Sequence, residues 1–261
     1  MNPDIAAGSD QIGSGFGLPP SPHFNSRGRG VLPPPPHLGP PALANPTAAH
    51  PLTLLSVGDS VGVDLGLGVA DAFSNDSAVQ VVQRGVVDSG LARSDYYNWP
   101  VQLQAALRQY RPGIVVIMMG ANDAQAFYSN GRYISFGSPA WWNAYTARVA
   151  TVMSDATSVG AHVLWVGLPP MNSKVLPLPY LQRVNQIYKR QAQLHPGVTY
   201  FSSWALLANK HGGFAQFLTI GGNVEQIRAA DGVHLYPAGY DRLGNAIVTP
   251  MERSWHVNLK A

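Results

Sequence analysis

Short runs of apolar, largely β-branched residues recur along this chain at Leu52 to Val57, Val79 to Val82, Ile114 to Met119, His162 to Val166 and Val198 to Phe201. Their length and near-continuous apolar character predict five strands buried on both faces. Between the third and fourth runs the period changes to that of a helix. Trp142, Tyr145, Val149, Val152, Met153 and Ala156 follow one another at helical spacing, behind Ser138 as cap and Pro139 in the first turn. Further helices are expected over Val101 to Tyr110, over Leu181 to Leu194 and from about Ala238 to Val248. Ser60 should open another directly after the first strand, with Gly62, Gly66 and Gly68 letting it lie close to the sheet. Of the adjacent Trp141 and Trp142, only one can face the core; Trp142 fits the stripe, leaving Trp141 nearer solvent. Strands separated by helices give an α/β chain with a parallel sheet and right-handed crossovers, whose functional edge is the carboxyl end of the strands.

The first fifty residues break this pattern. They are rich in Gly, Pro, Ser and Asn, with Pro33-Pro34-Pro35-Pro36 at their centre. Too few apolar residues are present to offset the entropy of ordering, so residues 1–50 read as a disordered or polyproline-like arm ahead of one domain over residues 51–261. A Pro-rich docking segment or a spacer is the functional alternative. The net charge is +3, with Lys and Arg scattered and no basic stripe, which argues against a nucleic-acid partner. With no cysteine there is no disulfide, thiolate metal site or cysteine nucleophile. No H-E-x-x-H or comparable spacing suggests a catalytic metal, and no cofactor is expected.

The candidate chemistry is concentrated in the segments just after the strands. Gly58-Asp59-Ser60 ends the first apolar run, and Asp231-Gly232-Val233-His234 lies near the C-terminus. Together they supply a serine nucleophile, a histidine base and a carboxylate to orient it: Ser60, His234 and Asp231. A serine hydroxyl attacks a carbonyl only when a neighbouring imidazole takes its proton, and that imidazole needs its tautomer fixed by an acceptor. Of eight histidines, only His234 combines an acid three residues before it with a helix start, Pro237, just after it. Asp88-Ser89-Gly90-Leu91 comes after the second run and Met119-Gly120-Ala121-Asn122-Asp123 after the third. A glycine amide, an asparagine side-chain amide and the serine's own amide are the donors that an oxyanion requires. Gly58-Asp59-Ser60-Val61-Gly62 also fits the G-x-S-x-G elbow of α/β-hydrolases, but that elbow comes after several strands, whereas this serine comes after the first. Asp59 reads as fixing the turn, since the triad already has its acid.

These four blocks, in this order over residues 52–250, resemble the SGNH (GDSL-type) hydrolase superfamily. The resemblance implies a three-layer α/β/α sandwich with a five-stranded parallel sheet of order 2-1-3-4-5. It makes Ser60 the nucleophile, His234 the base oriented by Asp231, and Ser60, Gly90 and Asn122 the oxyanion donors. Ser89 to Asp95, Asn98-Trp99-Pro100 and Trp165 to Met171 are similar to a bacterial branch often attached to the cell envelope.

An esterase acting through an acyl-enzyme is therefore expected, with an acylated carbohydrate or another small ester as partner and deacetylation of an envelope or secreted polysaccharide as the leading reading. An O-acetyltransferase using the same acyl-enzyme and a non-catalytic scaffold module are the alternatives. Tyr96, Tyr97, Trp99, Phe127 and Tyr128 come after the Gly90 and Asn122 blocks and could form aromatic platforms for sugar rings or simply pack loops. The stretch from Trp204 to Ala230 could be a flap over the site or a surface excursion. No apolar run is long enough to span a membrane. Met1-Asn2-Pro3-Asp4 lacks the layout of a signal peptide, so either the protein stays in the cytoplasm or an exported leader is missing; the resemblance favours the periplasm or cell envelope.

Overall fold

A computed structural model of the chain describes residues 39–129 and 131–259. Five parallel strands, β1 (Leu52–Gly58), β2 (Val79–Gly85), β3 (Ile114–Met118), β6 (His162–Val166) and β7 (Val198–Phe201), form one sheet in the order β2-β1-β3-β6-β7. Counting sheet strands alone, this is the expected 2-1-3-4-5. Every residue of β3 and β6 is buried, which accounts for the unbroken apolar runs in the sequence.

The helices are α1 (Ser60–Ala72), α2 (Trp99–Tyr110), α3 (Pro139–Ser158), α4 (Leu178–Leu194), the single turn α5 (Trp204–Leu207) and α6 (Pro237–Trp255). Ser138 caps α3 as expected, its hydroxyl accepting from Trp141 N at 3.2 Å. Helix α6 continues through Pro250, past its expected end, because Met251 and Trp255 extend its buried face by another turn. In α1, Gly62 and Gly66 do approach the sheet, but a Cβ on Gly68 would strike the Tyr240 carbonyl, so that glycine serves the contact with α6.

Two small hairpins complete the fold: β4 (Phe127–Ser129) with β5 (Arg132–Ile134), and β8 (Phe217–Ile220) with β9 (Asn223–Gln226). The first corrects the expectation for Trp141. Gln125, just before β4, takes the Trp141 indole N–H at 2.7 Å, Phe127 and Phe136 pack on the ring, and Trp141 stacks on Tyr145. Helical periodicity alone could not reveal this cover, and both tryptophans are buried.

Residues 1–38 of the expected arm lie outside the described residues. The remainder contacts the domain: His162 Nε2 lies 2.9 Å from the Pro41 carbonyl, and the Asn45 side chain accepts from Asn258 N at 2.7 Å. Among the described residues, no helix is long and apolar enough to cross a membrane.

Candidate active site

All four blocks sit on loops at the carboxyl end of the sheet, and buried carboxylates tie those loops to one another. Asp59 caps α1: one oxygen accepts from Val61 N at 3.1 Å, and the other reaches across to the amides of Gly120 and Ala121 at 2.7 and 2.8 Å. The turn that presents Ser60 is thereby fixed to the loop that presents Asn122. Burial, reinforced by the Asp123 carboxylate, pushes the Asp59 carboxyl up to about 7, against the pull of the three amides. Asp123 makes the next tie, accepting from Leu91 N at 3.1 Å, Ala92 N at 2.8 Å and the Tyr145 hydroxyl at 2.9 Å. Its burial raises its pKa too, while the amides of Ala92 and Leu91, the Tyr145 hydroxyl and Arg148 pull it down. A third link runs from Asn122 Nδ2 to the Ser89 carbonyl at 2.9 Å.

Gly90 is held inside this lattice. A Cβ there would overlap Asp123 Oδ1, an atom fixed by its own hydrogen bond to Ala92 N. Gly90→Ala should therefore lower stability by about 2 kcal/mol, the usual scale for forced overpacking. Chemical denaturation read by tryptophan fluorescence checks this: the transition midpoint should drop at unchanged slope.

Near the C-terminus the chain folds back over α1. Asp231 Oδ1 accepts from Val233 N at 2.8 Å and His234 N at 3.0 Å, while Oδ2 meets His234 Nδ1 at 2.6 Å. Burial raises the Asp231 carboxyl, but the His234 ring and the two amides outweigh it and hold the group below its ordinary value. With Nδ1 bound to a carboxylate, Nε2 of His234 is the ring nitrogen left to take a proton.

Ser60, Asn122, Asp231 and His234 line one open cleft of about 380 Å³. Gly90 does not line it; it borders a smaller cavity of about 180 Å³ with Leu91, Trp99 and Arg148. The Ser60 amide lies at the N-terminus of α1, where helix N–H groups lack intrahelical partners and negative charge is favoured. Among the described residues, no group of three or more His, Cys, Asp or Glu is placed to hold a metal ion.

The aromatic candidates separate. Trp99 is buried, its indole donating to Ser89 Oγ at 3.0 Å, and Tyr97 packs edge-on against it. Phe127 is buried beneath the Arg148 guanidinium. Trp99 and Phe127 therefore pack the loops, the second of the two expectations for them. Tyr96 and Tyr128 are exposed, yet none of the five lines the cleft. Nor does any residue between Trp204 and Ala230; that stretch forms α5 and the β8–β9 hairpin beside α6.

The walls of the cleft come instead from Val87, Asp88, Ala121, Ser173, Val175, Leu176 and Val233. Val87 and Val175 are exposed there, and Asp88 adopts a left-handed φ of 59°. Of these wall residues, Asp88, Ala121 and Val233 belong to the sequence blocks and Val87 adjoins one. Ser173, Val175 and Leu176 sit in a loop whose composition resembles any turn.

Comparison with known families and structures bears on the family and the fold. The family model described as "Protein of unknown function (DUF459)" matches residues 53–250. A GDSL-like lipase from Bacteroides thetaiotaomicron aligns at 15% identity with a TM-score of 0.53, covering 81% of this chain and 93% of that one. A catalytic mutant of Axe2, an acetylxylan esterase from Geobacillus stearothermophilus, aligns at 14% identity and TM-score 0.53, covering 80% and 97%. TesA aligns at 22% identity and TM-score 0.53, covering 78% and 99%. No curated protein matches the sequence. A family match over this span, on a sheet and site of this arrangement, places the chain in the family described as "Protein of unknown function (DUF459)", with the fold of the SGNH hydrolases.

Proposed function

We propose that the protein is a serine esterase that works through an acyl-enzyme, and that its ester is an acetyl group on a carbohydrate, such as an envelope or secreted polysaccharide. The observation that carries the reading is the 2.6 Å contact between His234 Nδ1 and Asp231 in a cleft that Ser60 also lines. Nε2 of His234 takes the Ser60 proton as Oγ attacks the ester carbonyl. The Ser60 amide and Asn122 Nδ2, both at the cleft, share the oxyanion. His234 then protonates the departing alcohol, and water, activated by the same imidazole, releases the acid.

The carbohydrate part of the reading draws on the cleft itself. It is open, and it offers Asp88, Asn122 and Ser173 to pair with sugar hydroxyls beside the apolar surfaces of Val87 and Val175. A protein of like fold, Axe2, is described as an acetylxylan esterase.

Acetate release from acetylated xylo-oligosaccharides and from p-nitrophenyl acetate, by wild type beside Ser60→Ala, tests both levels. Release from both, lost in the variant, supports the reading. Release from the small ester alone removes the carbohydrate part, and release from neither removes the esterase. Asn122→Ala should lower kcat by about 10²–10³-fold, the usual cost of one oxyanion donor. Full activity in that variant would remove Asn122 from the oxyanion site.

A further inference from the structure

Charged side chains hold the backbone on both sides of His234. Before it, the Val233 carbonyl accepts from Arg228 Nη1 at 2.8 Å; after it, the Leu235 amide donates to Asp64 Oδ2 at 2.8 Å. Neither residue belongs to the four sequence blocks, and neither lines the cleft. We propose that Asp64 and Arg228 are positioning residues for His234, clamping its two neighbours so that the imidazole meets Ser60 in a single register. The proposal rests on the reading of His234 as the base.

Asp64 lies four residues after Ser60, one turn along the same helix, so both face the same side of α1. The element that presents the nucleophile is thus also the strut for the loop that presents the base. Sliding of α1 moves both together.

Arg228 supplies the complementary tie. It is fully buried, and its Nη2 donates to the Pro170 carbonyl at 3.0 Å, joining the loop after β6 to the His234 loop. Its Nε is buried with no partner among the described residues. An apolar side chain of similar volume would fill this space at lower desolvation cost. Packing alone therefore does not account for a guanidinium here, whereas two carbonyls on separate loops, both needing a donor, do. Burial lowers its pKa to about 10, with Asp64 and Asp231 opposing, so it stays protonated at neutral pH.

The charges around His234 are Asp231 on its own loop, Asp64 on α1, Arg228 after β9 and Asp88 on the loop after β2. Lys174 is exposed on the loop that contributes Ser173 and Val175 to the cleft. Asp64 and Arg228 have opposite signs, so removing each charge should displace the acidic limb of the kcat/KM profile in opposite directions. A loss of packing would not do this.

The test is p-nitrophenyl acetate hydrolysis against pH by the full chain, its Asp64→Asn, Arg228→Lys and Arg228→Met variants, each first shown to be folded by circular dichroism. Asparagine keeps an acceptor for Leu235 N, so Asp64→Asn should fold, but a neutral amide oxygen grips it more weakly than the carboxylate and loosens the clamp. It should lose about 10-fold in kcat with KM within about 2-fold, and its acidic limb should move to lower pH. Arg228→Met should lose about 10²-fold, with the limb moving to higher pH. Arg228→Lys should restore the limb but not the full kcat, since an ammonium cannot span both carbonyls as the guanidinium does. If Arg228→Met does not fold, the other two variants decide. Wild-type kcat and an unmoved limb in Asp64→Asn, or limbs that move the same way in the two charge-removing variants, would overturn the proposal alone. A wild type that hydrolyses no ester would overturn it together with the esterase reading.

Discussion

His234→Ala is expected to lower the kcat for p-nitrophenyl acetate by about 10⁴-fold or more, and Ser60→Ala by a similar factor, because nucleophile and base act as one unit. The double variant should be hardly worse than either single one. The reason is geometric: Asp231 grips Nδ1 at 2.6 Å and leaves Nε2 for the serine in the shared cleft. Asp231→Asn should retain more activity than His234→Ala, since Asn can still hold the ring but offers no charge to the imidazolium. The residual rate in Ser60→Ala, His234→Ala and the double variant is the part owed to the oxyanion donors and to binding. Steady-state kinetics on the four proteins provides the check. Losses that multiply in the double variant would mean that Ser60 and His234 act separately.

Asp59→Ala should produce the largest loss of stability of any single change in the site, on the order of 3 kcal/mol, because it strands buried N–H donors of Val61, Gly120 and Ala121 together. Activity should fall too, by about 10²-fold, since those amides belong to the turns carrying Ser60 and Asn122, and small displacements of reacting groups cost that much. Urea denaturation and kinetics of the same preparation separate the two effects. A stable Asp59→Ala with low activity would mean that the carboxylate acts on the chemistry directly. An unstable but fully active one would mean that the tie does not position the loops.

The centre of the sheet was legible because β3 and β6 are buried throughout, so Ile114 to Met118 and His162 to Val166 carry an unbroken apolar signal, whereas the edge strands β2 and β7 are only partly buried. Ser60, Asp231 and His234 stood out because a nucleophile, a base and an orienting acid must be specific residue types, and the structure brings Asp231 to His234 within one loop and all three to one cleft. What escaped notice depends on contacts between distant segments. Asp64 carries no sequence signature of its role, because the Leu235 amide that it accepts from lies 171 residues later. Arg228 read as one scattered cation among many, and Asp123 as the end of a block, until their burial and partners appeared. Trp99 stayed open for the same reason: an aromatic beside the Gly90 block has the same sequence signature whether it faces a ligand or, as here, Ser89.

The central claim, that Ser60 is an activated nucleophile, is met most directly by exposing the full chain to an ethyl fluorophosphonate and mapping the adduct by peptide mass spectrometry. A single adduct on Ser60 that is absent in Ser60→Ala and strongly slowed in His234→Ala is the predicted result. An unlabelled Ser60 in the folded protein, or labelling that ignores the loss of His234, would contradict the account.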